Sequence, residues 1–156
     1  MKHILNLSAL SDVLPFGLNV HIYHDAYAIY HTPEHCEHWE NDEHPDECMI
    51  TTRDSNFYKD CAGDYGYQEE IRARGFVVIE FLPHGMESAW GAASSAETAL
   101  LLALHLHSVH QYNQGNTDTL PPALGHVDDE ERAAKLRIMY PSVLKRLQKI
   151  VYPSLP

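Results

Sequence analysis

Seven side chains able to hold a transition metal fall within one stretch: His31, His35, Cys36, His38, His44, Cys48 and Cys61. Thr32-Pro33-Glu34 has the form of a helix entry, with Thr32 as N-cap, Pro33 in the first turn and a carboxylate at the positive end of the dipole. A short helix to about Glu40 would set His35 and His38 three residues apart on one face, as two imidazoles are offered to a single ion, and point Cys36 elsewhere. A tetrahedral zinc site needs two further ligands. His44, Cys48 and Cys61 are of the right type and near enough for a loop to return them, which makes zinc the expected ion and His35, His38, His44, Cys48 and Cys61 its candidate ligands. The spacing fits no zinc-finger pattern. The competing expectation is a solvated acidic loop whose histidines are incidental.

A second set follows an apolar run at 76–82. Pro83-His84-Gly85-Met86-Glu87-Ser88 reads as a loop beyond the carboxyl end of a strand, where α/β folds gather ligand sites, so His84 and Glu87 are candidates for acid/base work. Glu80 lies within the strand itself, and a carboxylate there must find a cation or lose its charge to desolvation. Ser88 has no nucleophile-elbow pattern, and neither a Walker motif nor GxGxxG follows the strand. With a metal bound nearby, this set would make a metal-dependent hydrolase in which His84 or Glu87 shuttles the proton.

A third set is His105, His107 and His110. At 100° per residue His107 and His110 lie about 60° apart and His105 about 140° from His110, so one ion cannot collect all three from a regular helix. The plainer expectation is histidines near a helix C-terminus, where the dipole favours their protonated forms.

Charge gives a different kind of signal. The net charge is −11, which argues against a general phosphate-binding surface and against direct nucleic-acid contact. Residues 34–70 hold twelve acidic side chains against Arg53 and Lys59, a local net charge of −10, whereas six basic residues and no acidic one follow Glu131. One expectation is that the basic C-terminal region lies against the acidic segment, within the monomer or across a homodimer. The other is that Glu34, Glu37, Glu40, Asp42, Glu43, Asp46 and Glu47 present carboxylates to a basic protein surface. The chain would then be a small non-enzymatic inhibitor or regulator, acting as a nucleic-acid mimic on a nucleic-acid-binding protein.

These residues need a scaffold, and 156 residues are enough for one domain that buries roughly 70% of its unfolded surface without disulfides. Three cysteines, no apolar leader at 1–7 and no run long enough to span a membrane lead to the expectation of a cytoplasmic protein. The strongest pattern is a β-branched and aromatic strand at 76–82 followed by a helix, apolar nearly all round, entered at Ser94-Ser95-Ala96-Glu97. The expected fold is α+β or α/β. It is a single domain in which a small mixed sheet (strands near 3–7, 18–31, 48–52 and 76–82) packs against helices near 65–74, 95–111, 128–140 and 141–151. The stretch 18–31 fits one long strand or a hairpin turning near His24-Asp25. Leu136, Tyr140, Val143, Leu147 and Ile150 form an apolar stripe that Pro141 must kink or restart.

Overall fold

The computed structural model describes residues 13–14, 20–25, 27–30, 49–52, 68–81, 87–125 and 128–147; the strand expected near 3–7 lies outside the described residues. Among the described residues nine elements follow in chain order: β1 (Val20–His24), β2 (Tyr27–Tyr30), β3 (Met49–Thr52), α1 (Gln68–Arg74), β4 (Phe76–Phe81), β5 (Glu87–Ala93), α2 (Ala96–Asn113), α3 (Asp129–Met139) and α4 (Pro141–Leu147). The strands form one five-stranded sheet in the order β3-β2-β1-β4-β5, and every described pairing is antiparallel. The fold is therefore α+β, and the sheet, expected to be mixed, is antiparallel throughout its described strands.

The 18–31 stretch is a hairpin. Ile22 pairs with Ile29 and Tyr23 with Ala28, so the chain reverses between His24 and Tyr27. This reversal decides which side chains reach the core. Val20 and Ile22 share a face with Ile29, Phe76 and Val78, and all five belong to the main apolar cluster. Tyr23, Ala28, Val77 and Ile79 point to the opposite face and are also buried.

A strand went unforeseen between β4 and α2. Residues 87–93 pair with β4 from Phe76↔Ala93 to Phe81↔Glu87, and the register shifts beyond Glu80↔Ala89, leaving Ser88 as an extra residue of a bulge. Its composition, Glu-Ser-Ala-Trp-Gly-Ala-Ala, has neither alternation nor β-branched residues, which is why sequence pattern reads it as loop. Small residues here have a packing purpose. A Cβ on Gly91 would sit 2.8 Å from Leu102 Cδ2, so any larger residue here would have to displace the Leu102 side chain.

α2 is the middle layer. All six residues from Thr98 to Ala103 are buried, because the sheet covers one side and α3 and α4 the other. Its N-cap is Ser95, one residue later than the Ser94–Glu97 spacing suggested, and Ser95 Oγ accepts from Thr98 N at 3.2 Å. Asp128 caps α3 in the same way, accepting from Glu131 N at 2.9 Å. Gly75, at φ +109°, ends α1 by donating its N–H to Ile71 O at 2.8 Å.

Pro141 restarts the chain as the first residue of α4, after Tyr140 breaks α3 at φ −127°, ψ 54°. The stripe survives the break. Leu136 and Leu147 are buried in the main cluster, and Tyr140 and Val143 pack against it half-buried. Fully burying a leucine contributes about 1.5–3 kcal/mol, so these two fix the outer layer on α2.

Gly91→Ala tests the closeness of α2 and β5. The added methyl must displace Leu102, itself fully packed, and should destabilise the protein by about 1–3 kcal/mol. Urea unfolding would measure it, and a change within about 0.5 kcal/mol would mean that the helix has room to move.

Candidate functional site

Glu80 is a carboxylate on the helix-facing side of a central strand, opposite Val20, and it is only 5% exposed. Removing a carboxylate from water is costly unless a donor meets it. The donor is His110, one turn from the C-terminal end of α2, whose Nδ1 lies 2.9 Å from Glu80 Oε2. Whenever Glu80 is ionised it can only accept, and in that state Nδ1 carries the hydrogen. The side chains are 14% and 6% exposed. The requirement for a partner, legible in Glu80 alone, is thus met by a residue 30 positions away in the sequence.

The other two α2 histidines go elsewhere. His105 Nδ1 lies 3.1 Å from the Tyr140 hydroxyl, with the two rings edge to face, which joins α2 to the break between α3 and α4. Burial holds the His105 imidazole below its ordinary value of 6.5, opposite to the protonated form that a helix C-terminus would favour. Burial likewise pushes the Tyr140 phenol up, and a hydrogen bond with Ser108 offsets part of that rise. His107 turns toward Gln111, with 3.4 Å between Nε2 and Nε2, at the wall of a cavity. The three imidazoles therefore serve three contacts. Among the described residues no group of three or more His, Cys, Asp or Glu side chains is arranged to hold a metal ion.

The expected ligands His35, His38, His44, Cys48 and Cys61 lie outside the described residues, as do His84 and the carboxylates Glu34, Glu37, Glu40, Asp42, Glu43, Asp46 and Glu47. Glu87 is the first residue of β5, paired with Phe81. The premise that placed His84 and Glu87 in a ligand site needs correction: β4 is followed by an antiparallel neighbour, so 82–86 connects a hairpin and is no crossover at the mouth of a parallel sheet.

The basic residues of α3 are engaged close by. Arg137 Nε lies 2.7 Å from Glu97 Oε1, Lys135 Nζ donates to Leu124 O at 3.1 Å, and Arg132 donates to Ala92 O and sits 3.4 Å from Asp129. Arg74 bridges Glu70 and Asp129, linking α1 to the first turn of α3. No family model, no curated protein and no solved structure matches the chain.

Two outcomes follow from this geometry. His110→Leu removes a partner from a buried carboxylate and should destabilise the protein by about 1.5–3 kcal/mol, whereas adding Glu80→Leu should recover part of that loss. Additive costs in a denaturant-unfolding cycle would show that the two side chains do not depend on each other.

The second outcome concerns acid. Because the folded His105 binds its proton more weakly than the unfolded one, its stabilisation is complete above pH 6.5 and falls as the pH drops through 6.5 toward the folded value. His105→Gln lacks this titration and should show a flatter loss of stability between about pH 7 and 5. Parallel curves for the two proteins would contradict the assignment.

Proposed function

We propose that the chain is a small acidic, non-enzymatic binding protein, of inhibitor or regulator type, that offers the carboxylates of 34–70 to a basic surface on a protein partner in the manner of a nucleic-acid mimic. One observation carries the reading. Tyr30 pairs with Met49, so the connection 31–48 leaves β2 and returns to the edge strand β3 at neighbouring backbone positions. Seven carboxylates, Glu34 to Glu47, belong to that one connection. Connections this long within a compact fold are usually functional, and one with its ends held together confines its charge to a small region.

Half of the C-terminal bases that could neutralise it internally have other acceptors. Arg132, Lys135 and Arg137, three of the six bases beyond Glu131, bond Asp129, Ala92 O, Leu124 O and Glu97. Confined negative charge raises the rate of encounter with a cationic surface and makes the complex sensitive to salt. A partner that binds nucleic acid has such a surface, selected to accept closely spaced anions. A zinc ion on His35, His38, His44, Cys48 and Cys61 would brace the same segment as a structural centre. An odd number of cysteines, read as free thiols or metal ligands, would suit a reducing, cytoplasmic setting.

The test is capture of partners from cell extract by the wild-type chain and by the variant combining Glu37→Lys, Glu40→Lys, Asp42→Lys and Glu43→Lys. The wild type should retain a basic protein, release it as salt is raised and compete with DNA for it. The variant, with an unchanged melting temperature, should bind it at least about tenfold more weakly. Equal capture by both chains overturns the proposal. Elemental analysis of protein purified without an affinity tag separates the remaining alternative, since a transition metal with an open coordination position would favour a metal-dependent hydrolase instead.

A further inference from the structure

The connector between α2 and α3 is pinned at both ends and arched between them. At its start Asn116 N donates to Gln111 O at 2.9 Å, and Asn116 Nδ2 donates to Gln111 Oε1 at 2.6 Å. At its end Lys135 Nζ holds Leu124 O. Gly115 and Gly125, at φ +77° and +76°, make the two reversals with backbone that other residues rarely adopt, and Pro121-Pro122 stiffens the span. A loop fastened in this way cannot collapse onto the helices beneath it. It leaves a cavity of about 400 Å³ between itself, α2 and the α3–α4 break, within the range of small-molecule sites.

The chemistry of the walls narrows the occupant. Pro121, Pro122, Met139 and the Tyr140 ring supply flat or polarisable apolar surface, while His107, Ser108, Gln111, Thr117 and Thr119 supply hydrogen-bonding groups. Among the described residues no Asp, Glu, Lys or Arg lines it. In a chain of net charge −11, a lining without one such residue selects against charged ligands, whose desolvation nothing there would offset. Gln111 is a mixed donor and acceptor whose oxygen is already fixed by Asn116, so its amide is oriented before a ligand arrives. We infer that this cavity is a binding site for a small, uncharged heteroaromatic molecule carrying an amide-like hydrogen-bonding edge, held with its ring against the prolines and Met139 and its edge toward Gln111 and the threonines.

Nicotinamide and adenine are suitable probes, and nicotinate, the same ring as nicotinamide with a carboxylate in place of the amide, is the matched charged control. Titrations followed by backbone amide chemical shifts, at a pH above the ordinary imidazole range, should show saturable changes at Ser108, Gln111, Thr117 and Thr119 with a Kd of about 1 mM or tighter for at least one neutral probe. Nicotinate should bind at least about tenfold more weakly than nicotinamide. Thr119→Trp, at an exposed position on the rim, should fill the cavity and weaken binding by at least about tenfold while the melting temperature and the β4 amide shifts stay as in the wild type. Absence of saturation with both neutral probes, equal binding of nicotinate, or binding unaffected by Thr119→Trp would each overturn the assignment.

Discussion

The contact of α2 with the sheet is the constraint from which the remainder of the architecture follows. A helix whose residues Thr98 to Ala103 are all buried cannot lie on a surface; it needs cover on both sides. The sheet supplies one cover, at a distance set by Gly91. The apolar stripe of α3 and α4 supplies the other, through Leu136 and Leu147. Once α2 is fixed between them, its C-terminal turns carry three histidines into defined surroundings, and the Glu80 carboxylate receives the donor that its burial requires.

The molecule joins this frame to a strongly acidic stretch of sequence. Its interior is a three-layer scaffold with a buried acid–imidazole pair and a pinned loop over a cavity. Seven of its carboxylates belong to the sequence 31–48, between the paired residues Tyr30 and Met49 at the sheet edge. Edge strands are where natural proteins place charge to discourage association with further strands. On the reading proposed above, the carboxylates of 34–47 would serve that end and also select for cationic surfaces.

Much of this frame is legible in the sequence. β4 and α2 stand out because β-branched packing and an all-apolar helix leave strong local patterns, and Glu80 announces its need for a partner by its position in an apolar strand. Pro141 and the hairpin at His24-Asp25 appear as open choices, since one local pattern suits both outcomes. What escapes is what depends on approach in space. β5 is written in small residues whose purpose is visible only when Leu102 is set against Gly91. That His110, rather than His107, meets Glu80 depends on how α2 crosses the sheet, and the cavity under 114–125 depends on side-chain bonds that tie a polar connector at both ends.

Native-state hydrogen exchange tests the central claim most directly, because it ranks the elements by the free energy needed to open them. If α2 clamped between the sheet and the outer helices holds the molecule together, the amides of 77–79 and 99–103 exchange last and with one common free energy, equal to that of global unfolding. Exchange of 99–103 as fast as that of 130–139 would contradict the account, since the helix on which every layer is assembled would then open without the rest.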